Sequence, residues 1–175
     1  MSFNPQVQEK KAYDVAPEGL YSARVARIIE LGIQADKYGE KPKVLIGFTI
    51  PSLTIEYEGE EKQRLMWANN FGLNQTSNPD STLMKYVNAI NSDATHLREL
   101  LCEACMIELK HSDPKPDGTI YANISNVTKP MAGLDIPHSD CDVFMYEFEN
   151  GEDEIFEQLG EYRQDQIRAA VNWSN

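Results

Sequence analysis

The sequence predicts a mainly β protein, built as a small barrel of five strands with one helix between the third and fourth strands. Three observations lead to this fold class. Five stretches alternate apolar and polar residues, which is the period of a half-buried strand. Between the third and the fourth stretch, apolar residues recur every three or four positions, as on one face of a helix. Glycine and proline bound most of these stretches, as is typical of turns.

The first strand is predicted over Gly19–Gln34, with the sequence GLYSARVARIIELGIQ. Its alternation slips by one residue at Ile28 and Ile29, and such a slip indicates a bulge that bends the strand. Because the slip comes after Arg27, the side chains of Arg24 and Arg27 are expected to face opposite sides. A helix is the alternative, since the same residues also fit a period near 3.6.

The second and third strands follow in the next forty residues. The second alternates through Val44–Ile50 and is predicted to end at Pro51, since proline cannot donate a ladder hydrogen bond. A glutamate-rich loop, EYEGEEK, comes next. The third strand is predicted over Arg64–Leu73, with Trp67 and Phe71 on the same face.

One helix and two further strands complete the predicted domain. The helix begins at Asn78-Pro79-Asp80, where an Asn cap precedes a proline in the first turn. A short second helix is predicted after Ser92. The fourth strand covers Ala104–His111, and the fifth covers Ile120–Lys129 beyond the turn cluster SDPKPDG.

Strand, strand, strand, helix, strand, strand is the order of an OB-fold, a five-stranded Greek-key barrel. The predicted parts are a flexible arm at 1–18, the OB-fold domain at 19–130, and an acidic linker with a C-terminal helix (Gly151–Trp173) at 131–175. In this helix Arg163 and Arg168 come late, which suits the helix dipole. Its loose apolar stripe consists of Ile155, Leu159, Tyr162, Ile167, Ala170 and Val171. Of the net charge of −12, the last part carries most, with 2 basic and 11 acidic residues against 14 and 17 in residues 1–130. Such asymmetry indicates an interaction tail or an acidic surface that maintains solubility.

Motifs of catalysis are missing from the sequence, which has no Gly-rich phosphate loop, no GxSxG and no HExxH. We therefore expect neither enzymatic activity nor a cofactor. The CxxC of Cys102 and Cys105 and the HxxC of His138 and Cys141 could hold zinc, but buried structural cysteine is the favoured interpretation, since positions three apart on a strand face opposite ways. Three cysteines, and no apolar run long enough for a membrane span or an export signal, favour a cytoplasmic protein.

Basic and aromatic residues occur where an OB-fold binds single-stranded nucleic acid. That face is formed by strands two and three and framed by the 1–2 and 4–5 loops. Cations bind the phosphates there, and aromatic rings stack on the bases. The candidate binding residues are Arg24, Arg27, Lys37, Tyr38, Lys41, Lys43, Arg64, Trp67, Phe71, Lys110 and Tyr121. Each aromatic residue among them could instead be a core residue, so the prediction rests on their joint placement.

Five stretches in order resemble a family of bacteriophage single-stranded DNA-binding proteins. They are GLYSARVARIIELGIQ, KPKVLIGFTIP, the helix start Ser81-Thr-Leu83, LLCEACMIELKH and YANISNV, and the resemblance covers about residues 15–130. It implies an OB-fold that coats single-stranded DNA during phage replication or recombination, without sequence preference. It also implies an acidic C-terminal segment that recruits replication proteins and competes with DNA. This chain departs from the familiar bacterial pattern, because it ends in a predicted helix and VNWSN rather than in a short acidic peptide with a terminal hydrophobic residue.

The expected partners are therefore single-stranded DNA and replication proteins, with no membrane. The predicted C-terminal helix could equally pack on the barrel or join two copies of the chain in a homo-oligomer. The alternative function is an OB-type protein-interaction module, or an inhibitor or adaptor whose acidic surface mimics DNA. The net charge of −12 is the best support for this alternative.

Overall fold

The computed structural model describes residues 15–68, 71–72 and 80–174, without the side chain of Phe71. Residues 1–14 of the predicted arm, the predicted helix start at Asn78 and Pro79, and residues 69, 70 and 73 of the predicted third strand lie outside the described residues. The mainly β prediction is confirmed. The elements are β1 (Gly19–Asp36), β2 (Gly39–Tyr57), β3 (Glu60–Trp67), β4 (Phe71–Gly72), α1 (Thr82–Asn91), a 3-10 turn (Leu97–Leu100), β5 (Ala104–His111), β6 (Ala122–Thr128), β7 (Phe144–Tyr146), a second 3-10 turn (Phe148–Asn150), α2 (Glu154–Gln158) and α3 (Glu161–Arg168).

The strands form one sheet, in which the neighbours β3, β2, β1, β5 and β6 are antiparallel in that order. The short strand β4 pairs with β2, and β7 pairs with β1 in parallel. The predicted succession of three strands, a helix and two strands is present, with β4 and β7 in addition. Within the described residues no pairing joins β3 to β6, so the sheet is open there. The barrel closure of an OB-fold therefore stays a prediction.

The first strand is a strand along its whole length, so the helical alternative is wrong. Its start pairs with β5 and its longer remainder pairs with β2, which explains why one strand must be long and bent. Register shifts interrupt the β1–β2 pairing between Val25 and Arg27 and again between Glu30 and Gly32. The predicted slip is thus present, but the first shift comes before Arg27 and not at Ile28–Ile29.

The second strand continues beyond the proline that was expected to end it. Pro51 lies in an interruption of the β2–β3 register between Ile50 and Thr54, where its missing N–H removes no ladder bond. The predicted glutamate-rich loop is in fact the tip of a tight hairpin. Its two turn residues, Glu58 and Gly59, have φ of 52° and 80°, as a two-residue type I′ turn requires.

Both faces of the central strands are buried, in two separate cores. Adjacent residues such as Ile28 and Ile29, or Val44 and Leu45, point into different cores because side chains alternate along a strand. The first core lies between the sheet and α1. The second lies on the other side of β1 and β2, beneath the chain that follows residue 143. This double coverage explains why every residue from 44 to 50 is buried.

The predicted single helix at Gly151–Trp173 is wrong, because α2 and α3 are separated at Leu159 and Gly160. Gly160 caps α3 in an extended conformation with φ −66° and ψ 157°, which breaks the helical path. Phe156 is fully buried, whereas Tyr162, assigned to the apolar stripe, is 76% exposed. Among the described residues, no helix is both long and apolar enough to cross a membrane.

Candidate nucleic-acid interface

Arg27, Gly47 and Trp67 lie side by side on β1, β2 and β3. Arg27 is the register partner of Gly47, and Gly47 is the register partner of Trp67. The indole of Trp67 lies over the backbone of Gly47, where a Cβ atom would be 3.0 Å from its Cζ3 atom. We call the face of β1–β3 that carries Trp67 and Ile29 the outer face. A glycine in the middle strand is what allows the indole to lie flat on it.

A cleft of about 240 Å³ opens beside this row, between the outer face and the start of α3. Its sheet wall is formed by Arg27, Ile29 and Trp67, and the other wall by residues 159–163 except Glu161. The cleft thus combines two guanidinium groups with an indole and a phenol. Such a mixture can hold a phosphate and stack on a nucleobase.

Arg163 is the charged centre of the cleft wall that α3 provides. Its guanidinium carbon lies 5.6 Å from the ring centroid of Trp67 and 5.4 Å from that of Tyr162. One of its N–H groups donates to Gln166 Oε1 at 2.6 Å. Burial lowers the pKa of Arg163, because the surrounding protein replaces water around the charge.

Arg27 is held by the chain that crosses the outer face. Its Nε donates to the carbonyl oxygen of Asp142 at 3.0 Å, and its guanidinium lies 4.5 Å from the ring centroid of Phe144. Two planar cations therefore line one cleft, Arg27 from the sheet and Arg163 from α3.

Residues 136–142, which we call the strap, cross the outer face at the level of Arg27. Arg24 donates to the carbonyl oxygens of Ile136 and Pro137 in the strap and to that of Cys102. Across the sheet, the hydroxyl groups of Thr49 and Ser139 are 2.6 Å apart. The strap was predicted to be a linker, and its docking on the sheet was not foreseen.

The strap also bears on the prediction that Arg24 and Arg27 face opposite sides of β1. Both donate to carbonyl groups of the strap, so both lie on the side of the strand that it covers. The prediction is wrong because the register shift comes before Arg27. The guanidinium of Arg24 already donates hydrogen bonds to three carbonyl groups, so this residue is not part of the proposed interface.

The hairpin between β1 and β2 carries four of the predicted binding residues. Tyr38 is 73% exposed at its tip, with the ammonium of Lys37 5.0 Å from its ring centroid. Lys43 pairs with Asp36 at 3.6 Å, while Lys41 is half-buried opposite Gln34. The backbone N–H of Tyr38, and after it Lys43, lower the pKa of Asp36. Lys37 and Tyr38 are thus the most accessible pair of this group.

Lys110 and Tyr121 lie at the opposite end of β1 from that hairpin. Tyr121 is 51% exposed, and the ammonium of Lys115 lies 5.3 Å from its ring centroid. Lys110 is 4.0 Å from Glu108. Most of the predicted binding residues therefore form three groups along β1, with the cleft between the hairpin tip and the β5–β6 end.

Two other predicted binding residues, Arg64 and Phe71, lie on β3 and β4. Arg64 is half-buried in β3 and is the register partner of Ile50. Phe71 belongs to β4, whose backbone pairs with Val44 and Lys43, and its side chain lies outside the described residues.

The zinc alternative is not supported by the placement of its four candidate ligands. Cys105 is buried in the sheet, which raises the pKa of its thiol to about 12, whereas Cys102 and His138 are exposed. In the part of the chain that the structure describes, no three His, Cys, Asp or Glu side chains are placed to hold a metal ion.

Tyr162 and Arg163 line the cleft but are not among the binding residues predicted from the sequence. Arg163 was assigned only to the favourable end of a helix dipole, and Tyr162 to an apolar stripe. One signal in the sequence could have indicated them. Arg163 and Arg168 are the only arginine or lysine residues among the 45 from 131 to 175, and an isolated cation in an acidic segment is a candidate for binding an anion.

A scan against protein-family models gives no match for this chain, and a search of curated proteins gives none either.

Proposed function

We propose that this chain is a non-enzymatic, OB-type protein that binds single-stranded DNA without sequence preference and coats it during phage replication or recombination, in the cytoplasm of the host cell. The resemblance of residues 15–130 to phage DNA-binding proteins supports the proposal. So does the strand order β3-β2-β1-β5-β6 with a helix before β5, which is compatible with an OB-fold.

The observation that carries the proposal is the cleft beside Trp67. Binding of a single strand requires cations for phosphates and aromatic rings for bases. Arg27, Arg163, Trp67 and Tyr162 supply both in one cavity of about 240 Å³. A base that stacks on an aromatic ring contributes about 1–3 kcal/mol, which makes the indole the largest expected single contribution.

The two outer groups extend the proposed path of the strand. Lys37 and Tyr38 lie about ten residues from Arg27 along β1, roughly 30 Å at the usual rise of a strand. Lys110 and Tyr121 lie beyond its other end. A single strand that follows β1 would meet one basic and aromatic group after another, with the cleft in the middle.

Fluorescence anisotropy with labelled oligo-dT at low and at physiological salt tests the proposal. We expect saturable binding at low salt that weakens steeply as salt rises, because binding releases the counterions of the phosphates. No change in anisotropy at low salt would refute it. Replacing the thymines by a mixed sequence should change the affinity little, because stacking tolerates every base.

The acidic-mimic alternative is supported by one specific observation. Four acids of α2 and α3 are exposed, namely Glu154, Glu157, Glu161 and Asp165. A DNA mimic would bind a protein that normally binds DNA and would itself bind no oligo-dT. The same anisotropy titration therefore separates the two functions.

Deletion of residues 140–175 would not separate them cleanly. Tyr146, Phe156 and Ile167 are fully buried in the second core, so the deletion would expose the apolar side chains of β1 and β2 beneath them. Substitution of the exposed acids Glu157 and Glu161 by glutamine leaves that core intact. A DNA binder should then bind oligo-dT equally well or more tightly, because negative charge has been removed.

A further inference from the structure

Among the residues that the structure describes, Arg163 is a half-buried cation without an acidic partner. Within the described residues, its side chain donates one hydrogen bond, to the neutral amide of Gln166, and forms no ion pair. Charges that are removed from water are normally paired, because desolvation is costly otherwise. The chain has 28 acidic residues and 16 basic ones, so a missing partner for this arginine is unexpected.

Two arginines outside the cleft have acidic partners, whereas Arg24 donates to three carbonyl groups instead. Arg168, five positions later, pairs with both Glu152 and Asp165. Arg98 pairs with Glu147 at 2.9 Å. Arg27 resembles Arg163 in this respect, because within the described part of the chain it contacts a carbonyl group and a ring but no carboxylate. Both guanidinium groups that line the cleft thus lack an ion pair within the described residues.

Arg163 also covers the indole on which a base would stack. One side of the Trp67 ring lies on Gly47, and the guanidinium of Arg163 lies over the ring. A base can take that place only if the guanidinium moves away. Among the described contacts, the side chain of Arg163 has one hydrogen bond to lose, and a phosphate would offer it stronger, charge-assisted bonds in a two-pronged geometry.

We propose that Arg163 and Arg27 together bind one backbone phosphate of single-stranded DNA, and that Arg163 leaves the face of Trp67 when it does so, which frees this face for a base. This inference rests on the proposed function. It makes the folded C-terminal segment a part of the binding site, in which α3 supplies Arg163 and the exposed ring of Tyr162.

The matched pair Arg163→Gln and Arg168→Gln tests the inference. Both substitutions remove one positive charge from α3, but only Arg163 lines the cleft. The measurement is the affinity for oligo-dT at a series of salt concentrations. For single strands, each neutralised phosphate contributes about −0.7 to the slope of log K against log salt.

We expect Arg163→Gln to make this slope shallower, by up to about 0.7, and to weaken binding severalfold at low salt, because Arg27 alone neutralises the shared phosphate less completely. Arg168→Gln should leave the slope unchanged. Equal slopes for all three proteins would overturn the inference, and so would equal losses in the two variants, which would indicate a general effect of charge.

Arg163→Lys provides a second variant in case Arg163→Gln does not fold. It keeps the charge but lacks the planar fork, so the salt slope should stay as in the unaltered chain while the affinity falls moderately. A lysine variant that loses the slope would contradict a phosphate contact. If the unaltered chain binds no oligo-dT, the proposed function itself fails, whereas normal binding by Arg163→Gln removes only this inference.

Discussion

Trp67 of β3 lies flat over Gly47 of β2, and the contact is close enough that any larger residue at position 47 must displace the indole. The same row continues to Arg27 on β1. Both residues belong to the sheet, so the sheet holds in place the indole that lines one wall of the cleft. The ring therefore has a defined position before any ligand is present.

Gly47→Ala should disturb the cleft without altering its charge. The new methyl carbon would lie 3.0 Å from Cζ3 of Trp67, and overpacking of this kind costs about 1–3 kcal/mol. We expect a lower thermal midpoint and a red shift of the tryptophan emission. Gly160→Ala is the control, since nothing lies within 4 Å of its new methyl group on the opposite wall. A Gly47→Ala protein with unchanged emission and stability would show that the indole is not held by this contact.

Gly32→Ala should loosen the C-terminal segment from β1. Gly32 has φ 71°, and a Cβ atom there would be 2.4 Å from Cε2 of Phe148. Gly133 has nearly the same φ, 78°, with nothing within 4 Å, so Gly133→Ala carries the backbone strain alone. That strain is about 1–2 kcal/mol. Urea unfolding should give a clearly larger loss for Gly32→Ala, and equal losses would mean that Phe148 is not tightly docked.

Stability should fall with rising pH in the range where Glu30 ionises. Burial raises the pKa of Glu30 more than the hydrogen bond from the Phe148 N–H lowers it. The nearby acids Glu147 and Glu149 raise it further, while His96 lowers it.

The sign follows from proton binding. Because the folded state binds the proton more tightly than the unfolded chain, stability is lost as the pH rises from the unfolded pKa through the raised folded value. Glu30→Gln should remove this pH dependence and stabilise the protein at neutral pH. Urea midpoints at pH 4 and pH 7.5 check it, and a variant less stable than the unaltered chain at pH 7.5 would contradict it.

Tyr38→Ala should weaken the binding of long oligonucleotides more than that of short ones. The ring lies at the β1–β2 hairpin tip, roughly 30 Å along β1 from Arg27. OB-type sites hold about 4–16 nucleotides. We expect oligo-dT of about 16 nucleotides to lose severalfold in affinity and oligo-dT of about four nucleotides to lose little. Equal losses for both lengths would contradict this prediction, because they would mean that even a four-nucleotide strand contacts Tyr38.

Much of the sheet could be predicted from local patterns, because alternation along a strand reports which faces are buried. The alternation of Val44–Ile50 and the long first strand are examples. The same alternation misplaced the end of β2, since it cannot show that Pro51 lies in a gap of the β2–β3 pairing. It also misplaced the slip in β1, because a bulge is defined by the partner strand and not by the strand alone.

The candidate site was predicted only in part, for a related reason. Arg27 and Trp67 are carried by strands whose order was predicted. Arg163 reaches the cleft because the strap and the two C-terminal helices fold back over β1, through contacts such as Thr49 with Ser139, which are 90 positions apart. No local pattern contains that information. The break at Gly160, which sets the start of α3, was hidden within a loose apolar stripe.

The central claim is that single-stranded DNA binds at Trp67. The most direct measurement is the tryptophan emission of Trp173→Phe protein, in which Trp67 is the remaining tryptophan, during titration with oligo-dT monitored in parallel by anisotropy. Phenylalanine at position 173 keeps an aromatic contact with Phe148 and Phe156. We predict saturable quenching that follows the anisotropy change and is reversed by salt. Full binding by anisotropy with unchanged Trp67 emission would contradict the claim.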